Sequence, residues 1–281
     1  MQLVWSVFCL LAVVACAPAA PATHNTQPPG TSSQPTPAVQ GEVAVFSASS
    51  LTDAFREIGE VFQKANPGSR VAFNFGASTQ LRTQLEQGAR GDVFATANQA
   101  EMDKARQAGL IGGVDRTFAR NRLAVIFPRS NPGNIMALKD MAKPGLKFVS
   151  AAPEVPIGVY TQEMLDRMTR DAGFGADFRD RVNANIVSRE PNVRQVVTKI
   201  ALGEADFGVV YSSDVTPDMA ERVTKFDVPD SYNTLAAYPI AAVMNAANAA
   251  GAEAFVSFVQ SSDGQALMEK WGFITDKSRT R

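Results

Sequence analysis

The chain has 281 residues, with 27 Lys and Arg against 28 Asp and Glu and a formal net charge of -1 at pH 7. That balance offers no basic footprint for nucleic acid and no polybasic face for a lipid surface. The first 41 residues carry none of these charges, so all 55 lie in the remaining 240, a body large enough for one or two hydrophobic cores.

The leader reads as an export signal. Leu3 to Val14 is an apolar run too short for a bilayer, which takes about 20 residues, and it has the length of a secretory apolar core. Val13-Val14-Ala15-Cys16 resembles a bacterial lipobox, which implies a signal peptide over 1–16 and lipid attachment to the Cys16 sulfur. Ordinary cleavage at Ala15-Cys16-Ala17 or Ala20-Pro21-Ala22 is the alternative. Residues 17–41 are rich in Pro, Thr, Gln and Ala, a composition that buries too little surface to fold, and they read as a flexible tether. The one histidine, His24, lies there without metal-ligating neighbours.

In the body, Glu42 to Phe46 reads as a strand, and Leu51, Ala54, Phe55, Ile58, Val61 and Phe62 follow at helical spacing. Ser50-Leu51-Thr52-Asp53 fits a capping box with Ser50 as N-cap. Asn66-Pro67-Gly68 stops that helix, and Val71, Phe73 and Phe75 alternate as the next strand. A helix through Leu81 and Leu85 ends at Gly88, Asp92 to Ala95 is a strand, and a helix over Gln99 to Ala108 ends at Gly109. This alternation predicts a parallel sheet with right-handed crossovers.

A second group opens at the strand Leu123 to Phe127. Strands follow at Lys147 to Ser150, Asn185 to Val187, Phe207 to Tyr211 and Val223 to Phe226, with helices through Met164, Leu165 and Met168 and over Asn192 to Leu202. The apolar run Ala236 to Met244 and helices at Ala247 to Gln260 and Gly264 to Trp271 complete the chain.

From Glu42 onward there is no histidine and no cysteine, which excludes a Ser-His-Asp triad and a cysteine nucleophile. No G-x-S-x-G elbow or P-loop is present either. What recurs instead is a strand ending in a hydroxyl-rich or Gly/Pro turn that opens a helix: Ser47-Ala48-Ser49-Ser50, Gly76-Ala77-Ser78-Thr79, Val155-Pro156-Ile157-Gly158, Pro191-Asn192-Val193 and Tyr211-Ser212-Ser213. Helix N-termini present free N–H groups and a positive dipole end, so these turns point to an anion receptor. Asp53, Asp92 and Asp214 read as caps or edge charges, since nothing spaces them as a metal loop, and Arg194 reads as an exposed helix charge. Four tyrosines, Tyr160, Tyr211, Tyr232 and Tyr238, are too few to suggest ferric iron, and no matched turn offers the arginine fork an organic acid would need.

Val45-Phe46-Ser47-Ala48-Ser49-Ser50-Leu51-Thr52-Asp53, Phe75-Gly76-Ala77-Ser78-Thr79-Gln80-Leu81 and Gly91-Asp92-Val93-Phe94-Ala95-Thr96-Ala97 together resemble the periplasmic molybdate-binding proteins of ABC importers. Val155-Pro156-Ile157-Gly158-Val159-Tyr160, Asn192-Val193-Arg194, Gly208-Val209-Val210-Tyr211-Ser212-Ser213-Asp214 and Tyr238-Pro239-Ile240 continue the likeness in order. The resemblance implies an α/β, two-lobed periplasmic-binding-protein fold. Two mixed, mostly parallel sheets are flanked by helices and joined by two crossover strands, with lobe one over 42–121 and 236–281 and lobe two over 122–235. It also implies an oxyanion, molybdate or tungstate, held by Ser50, Ser78, Thr79, the backbone of Ile157 and Val193, and the Tyr211 hydroxyl. The implied partner is an ABC permease, with membrane contact through the lipid anchor alone, no cofactor and a monomeric chain. Sulfate or thiosulfate is the alternative ligand. Ile157 stands where that family commonly has a small residue, which bears on pocket size.

Overall fold

Parallel strands whose faces are both covered need near-continuous apolar runs, and the two sheets are built on such runs. The structure, a computed structural model, describes residues 39–276. The expected signal peptide, Cys16 and the tether up to residue 38 lie outside the described residues. The strand β1 (Gln40–Ala48) starts where composition alone reads as tether, because Gln40 and Gly41 pair in register with Gly68 and Ser69 of β2 (Gly68–Gly76). A 3-10 turn, Ser49–Leu51, leads from β1 into α1 (Thr52–Ala65); after β2 come α2 (Ser78–Glu86), β3 (Val93–Ala95), α3 (Gln99–Gln107) and β4 (Ile111–Asn121). The second group is β5 (Leu123–Pro128), β6 (Phe148–Ala151), α4 (Pro156–Thr169), α5 (Phe178–Ala184), β7 (Ile186–Glu190), α6 (Val193–Ala201), β8 (Phe207–Tyr211), α7 (Pro217–Ala220) and β9 (Val223–Asp227). The chain then returns as β10 (Ala236–Val243), followed by α8 (Ala249–Gln260) and α9 (Ser262–Lys270).

Two five-stranded sheets result, ordered β2-β1-β3-β10-β4 and β7-β6-β8-β5-β9. Each has four strands running one way and one reversed. In the first sheet β10 is antiparallel to β3 and β4, and in the second β5 is antiparallel to β8 and β9. The reversed strand is each time the one that brings the chain in from the other sheet. Arg122 alone separates β4 from β5.

Besides the one-turn helix α7, two elements were not legible beforehand. The strand β4 carries Gly112, Gly113, Asp115 and Arg116 and pairs with β10 through two register shifts, so its side chains give no clean alternation. The helix α5 is a short element whose apolar content is essentially Phe178 and Val182, both fully buried. A single pair at this spacing makes no periodic pattern.

Aromatic side chains pack the elements around each sheet together. The Phe55 ring on α1 meets Phe118, Phe255 and Phe73 at 5.6, 5.9 and 6.3 Å, tying α1 to β4, α8 and β2. In the second sheet Phe148 and Phe207, paired across β6 and β8, stack at 4.5 Å.

One glycine fixes how closely a helix start approaches the sheet. A Cβ on Gly158, in the first turn of α4, would lie 2.1 Å from the Ala152 carbonyl oxygen. An alanine in a helix ordinarily gains about 1 kcal/mol over glycine. Here the clash with backbone outweighs it, and overpacking of this kind costs about 1–3 kcal/mol. Gly158→Ala is therefore expected to be net destabilising, and a lower urea midpoint at unchanged slope is the result that checks it.

Candidate functional site

Where β1, β2, β6, β7 and β8 end, both sheets turn their C-terminal edges toward one gap, the place at which open α/β sheets present ligands. A small cavity lies there, with about 10 Å³ of room for the centre of a water-sized sphere, lined by Ser50, Ser78, Ile157, Val193 and Tyr211 together with small and apolar neighbours. So little room suits a small ion rather than a sugar or peptide, since drug-sized pockets run to roughly 300–1,000 Å³. No charged side chain is among the lining residues. Each of the five is no more than 3 % exposed.

The helix starts supply amide donors. In α2 the first N–H to bond back into the helix is that of Leu81, to Ala77 O, so Ser78, Thr79 and Gln80 precede it without an intrahelical acceptor. In α4 the Val159 N–H bonds Val155 O, leaving those of Ile157 and Gly158, and Pro156 fills the first helical position where no N–H is needed. In α6 Asn192 caps the Gln195 N–H at 3.2 Å, leaving those of Val193 and Arg194. Three helix starts thus aim at one cavity.

The Ser78 hydroxyl is oriented as a donor by what it accepts. Ser78 Oγ accepts the Ala97 N–H at 3.0 Å, which leaves its own proton for the cavity. Ser50 Oγ lies 3.0 Å from the Tyr238 hydroxyl. It is not an N-cap, as the capping-box pattern suggested: it sits inside the 3-10 turn, and Thr52 Oγ1 donates to Ser49 O at 2.7 Å. Tyr211, whose type and strand-end position suggest a solvated hydroxyl, is 1 % exposed, and its hydroxyl has no hydrogen-bond partner among the described residues.

Thr79 departs from the set. Its side chain faces away from the cavity, Oγ1 donating to the Glu154 carbonyl at 3.4 Å across the mouth of the cleft. Ile157 is both a lining residue and a member of the hydrophobic core, 1 % exposed. Of the six residues expected from sequence, the fold brings five together and leaves Thr79 on the rim.

Sequence reasoning missed the ring behind the cavity. The Tyr211 ring meets Tyr238 at 5.7 Å and Tyr160 at 6.4 Å, so tyrosines from both sheets back the site. Burial holds the Tyr211 and Tyr238 hydroxyls well above the usual phenol range, with help from the Asp214 carboxyl, and both stay protonated donors. Asp214 is fully buried rather than an edge charge: Oδ2 accepts the Tyr211 N–H at 3.1 Å. Burial pushes its carboxyl up to about 7 against the opposing pull of the Arg194 guanidinium and that N–H. Arg194 is likewise no free helix charge, since Nε donates to Ser49 O at 3.2 Å, lies 3.7 Å from Asp214 Oδ1, and a terminal nitrogen pairs with Asp53. Asp92 is a backbone clasp, accepting from Ala44 N at 2.8 Å and Asn248 N at 2.9 Å. No group of His, Cys, Asp and Glu side chains among the described residues is placed to hold a metal ion.

The sequence profile of the family described as bacterial extracellular solute-binding protein matches residues 43–274. The molybdate-binding protein ModA of Mycobacterium tuberculosis is 35% identical over 263 residues, which covers 93% of this chain and 92% of that protein. The periplasmic molybdate-binding protein of Azotobacter vinelandii superposes with a TM-score of 0.71 at 22% identity, over 83% of this chain and 98% of that one. The sulfate-binding protein SubI of Mycobacterium tuberculosis superposes at 0.76 with 16% identity, over 85% and 88%. At such identities the two structures establish the fold: two mixed sheets flanked by helices, as in periplasmic binding proteins.

The Asp214 carboxyl generates a signed expectation. Its value rises from 3.8 to about 7 in the fold, so below about pH 4 it is protonated in both states and costs nothing, and the cost grows as pH climbs to about 7. Asp214→Asn keeps an oxygen for the Tyr211 N–H and cannot ionise. The variant's melting temperature relative to the parent should therefore become more positive between about pH 4.5 and about pH 7.5, and a difference flat across that window would refute the assignment.

Proposed function

Because the chain belongs to the bacterial extracellular solute-binding protein family, we propose that it is an extracytoplasmic receptor that binds molybdate, and with it tungstate, between two lobes and hands it to an ABC permease. The observation that carries this reading is the donor set: amides at three helix starts and the Ser50, Ser78 and Tyr211 hydroxyls converge on a cavity whose lining holds no charged side chain. A fully deprotonated tetrahedral dianion only accepts hydrogen bonds, so a pocket of donors matches every oxygen. Hydrogen phosphate brings a proton that this lining has no carboxylate to receive, and a donor left unpaired costs about 1–3 kcal/mol. Against sulfate, alike in charge and shape but smaller, the cavity has only its size, which Ile157 and Val193 help to set.

The Tyr211 hydroxyl adds weight. A buried hydroxyl without a partner is costly, and an oxyanion in the cavity would accept its proton. Among the described residues no helix is long and apolar enough to cross a membrane. We further propose that the chain is exported, that Cys16 carries a lipid anchor joined to the body by the residues that precede β1, and that the body acts as a monomer without a cofactor. Molybdate is the ligand to test first, with sulfate as the rival arm.

Calorimetric titration of the purified protein should show saturable one-to-one binding of molybdate and tungstate and far weaker sulfate. No heat with either metal oxyanion would refute the proposal. A hydrogen bond to a charged group is worth about 1.5–3 kcal/mol, so Ser50→Ala and Ser78→Ala should each weaken binding about tenfold or more, whereas Thr79→Ala should stay within about twofold.

Tyr211→Phe should move two quantities in opposite directions. Removing an unpaired buried hydroxyl raises the stability of the unliganded protein by about 1 kcal/mol, while the loss of a donor weakens molybdate binding. Denaturant unfolding without ligand and calorimetry with it read the two signs separately.

A further inference from the structure

Arg194 is the second residue of α6, directly after Val193, whose amide faces the cavity. Its side chain does not enter the cavity lining. It reaches instead across the gap to the first sheet's side, where Nε donates to the Ser49 carbonyl at 3.2 Å and a terminal nitrogen pairs with the Asp53 carboxylate in the first turn of α1. On its own side it faces Asp214, whose Oδ1 lies 3.7 Å from Nε. Asp214 is completely buried and the Arg194 and Asp53 side chains are each 26% exposed, so this is a partly desolvated cluster rather than a loose surface pair. Ser49 and Ser50 belong to the 3-10 turn that puts the Ser50 hydroxyl on the cavity.

We propose that Arg194 is a positioning residue, a latch that holds the two lobes closed over the bound oxyanion by bridging Asp214 and α6 on one side to Ser49 and Asp53 on the other, without touching the ion. This rests on the receptor reading above and adds to it which residue sets the lifetime of the closed state. The ion bridges the lobes through neutral donors, and the latch bridges them beside it through charge. A clasp formed after the lobes meet acts on escape and not on encounter, so its loss falls on the dissociation rate. The geometry also separates its duty from stability. An Arg194 variant leaves Asp214 without its guanidinium, and a buried carboxyl in that position takes up a proton instead of remaining an unpaired charge. Asp53→Asn provides a second route that leaves Arg194 and Asp214 facing each other.

The test is stopped-flow binding and release of molybdate by the full-length protein, its Arg194→Gln and Asp53→Asn variants, the double variant and Arg194→Lys, with unliganded melting measured alongside. The latch predicts that release accelerates about tenfold in each single variant while association changes less than about threefold. The double variant should be no faster than the single ones, since the two residues act as one unit, and Arg194→Lys should recover part of the effect. Nitroxide labels at Val114 and Leu202, exposed positions on opposite lobes, should show a longer-distance population in molybdate-saturated Arg194→Gln that the parent lacks. Unchanged release in variants of a parent that binds molybdate overturns the latch alone. Absence of saturable binding by the parent overturns the receptor reading and the latch with it.

Discussion

A doubly charged ion can leave water only where its charge is met on all sides, and here the groups available to meet it are neutral. Isolated amides and hydroxyls are weak substitutes for hydration. In the proposed site their strength would come from being fixed in place at the starts of α2, α4 and α6, with the helix dipoles behind them. The remaining features of the molecule can be understood as consequences of that requirement. Donors must approach from opposite sides, so two sheets face one gap. They must not rotate away, and the residues that carry them are buried, Ser50, Ser78, Ile157, Val193 and Tyr211 among them.

The topology supplies this opposition cheaply in sequence terms. Both sheets have the same order, with the incoming strand reversed and placed fourth. Their parallel strands therefore send their C-terminal ends, and the helix starts that follow, to equivalent edges. Because β4 passes into β5 through Arg122 alone and β9 returns to β10, the chain crosses between the two sheets twice. Asn121 stands at the first crossing: its side chain donates to Ser213 at 2.7 Å and accepts the Arg122 N–H at 2.9 Å. Tyr211 and Tyr238, one from each sheet, meet at 5.7 Å behind the cavity.

The backbone of this arrangement was legible in the chain. Apolar runs and glycine or proline stops announced most elements, and the hydroxyl-rich turns announced where donors would stand. What the turns did not reveal was direction. Ser78 and Thr79 are adjacent and chemically alike, yet one hydroxyl accepts from Ala97 at the cavity and the other reaches Glu154 at the rim, because successive positions on a helix point about 100° apart. The same blindness applied to charge. Arg194 and Asp214 look like solvated residues in a sequence, and only the meeting of α6 with the turn at Ser49 buries one and engages the other. The strand β4 escaped notice for a different reason: at a sheet edge with register shifts, Gly112, Gly113 and Arg116 carry no burial pattern to read.

Charge is thus present at the site but held one layer back. An arginine in the lining would attract any anion, protonated phosphate included, because a guanidinium rewards charge more than it inspects protons. Neutral donors reward only an ion that accepts at every oxygen. Placing Arg194 outside the lining keeps that discrimination while its charge is used between the protein's own groups, at Ser49, Asp53 and Asp214. The buried carboxylate behind Tyr211 fits the same logic. It would repel an anion if left bare; burial raises it to about 7, so it is only partly ionised near neutral pH, and the facing guanidinium balances the charge it does carry. In the proposed receptor, selection by hydrogen-bond sense and retention by ion pairing would fall to different atoms, so that strengthening one need not blunt the other.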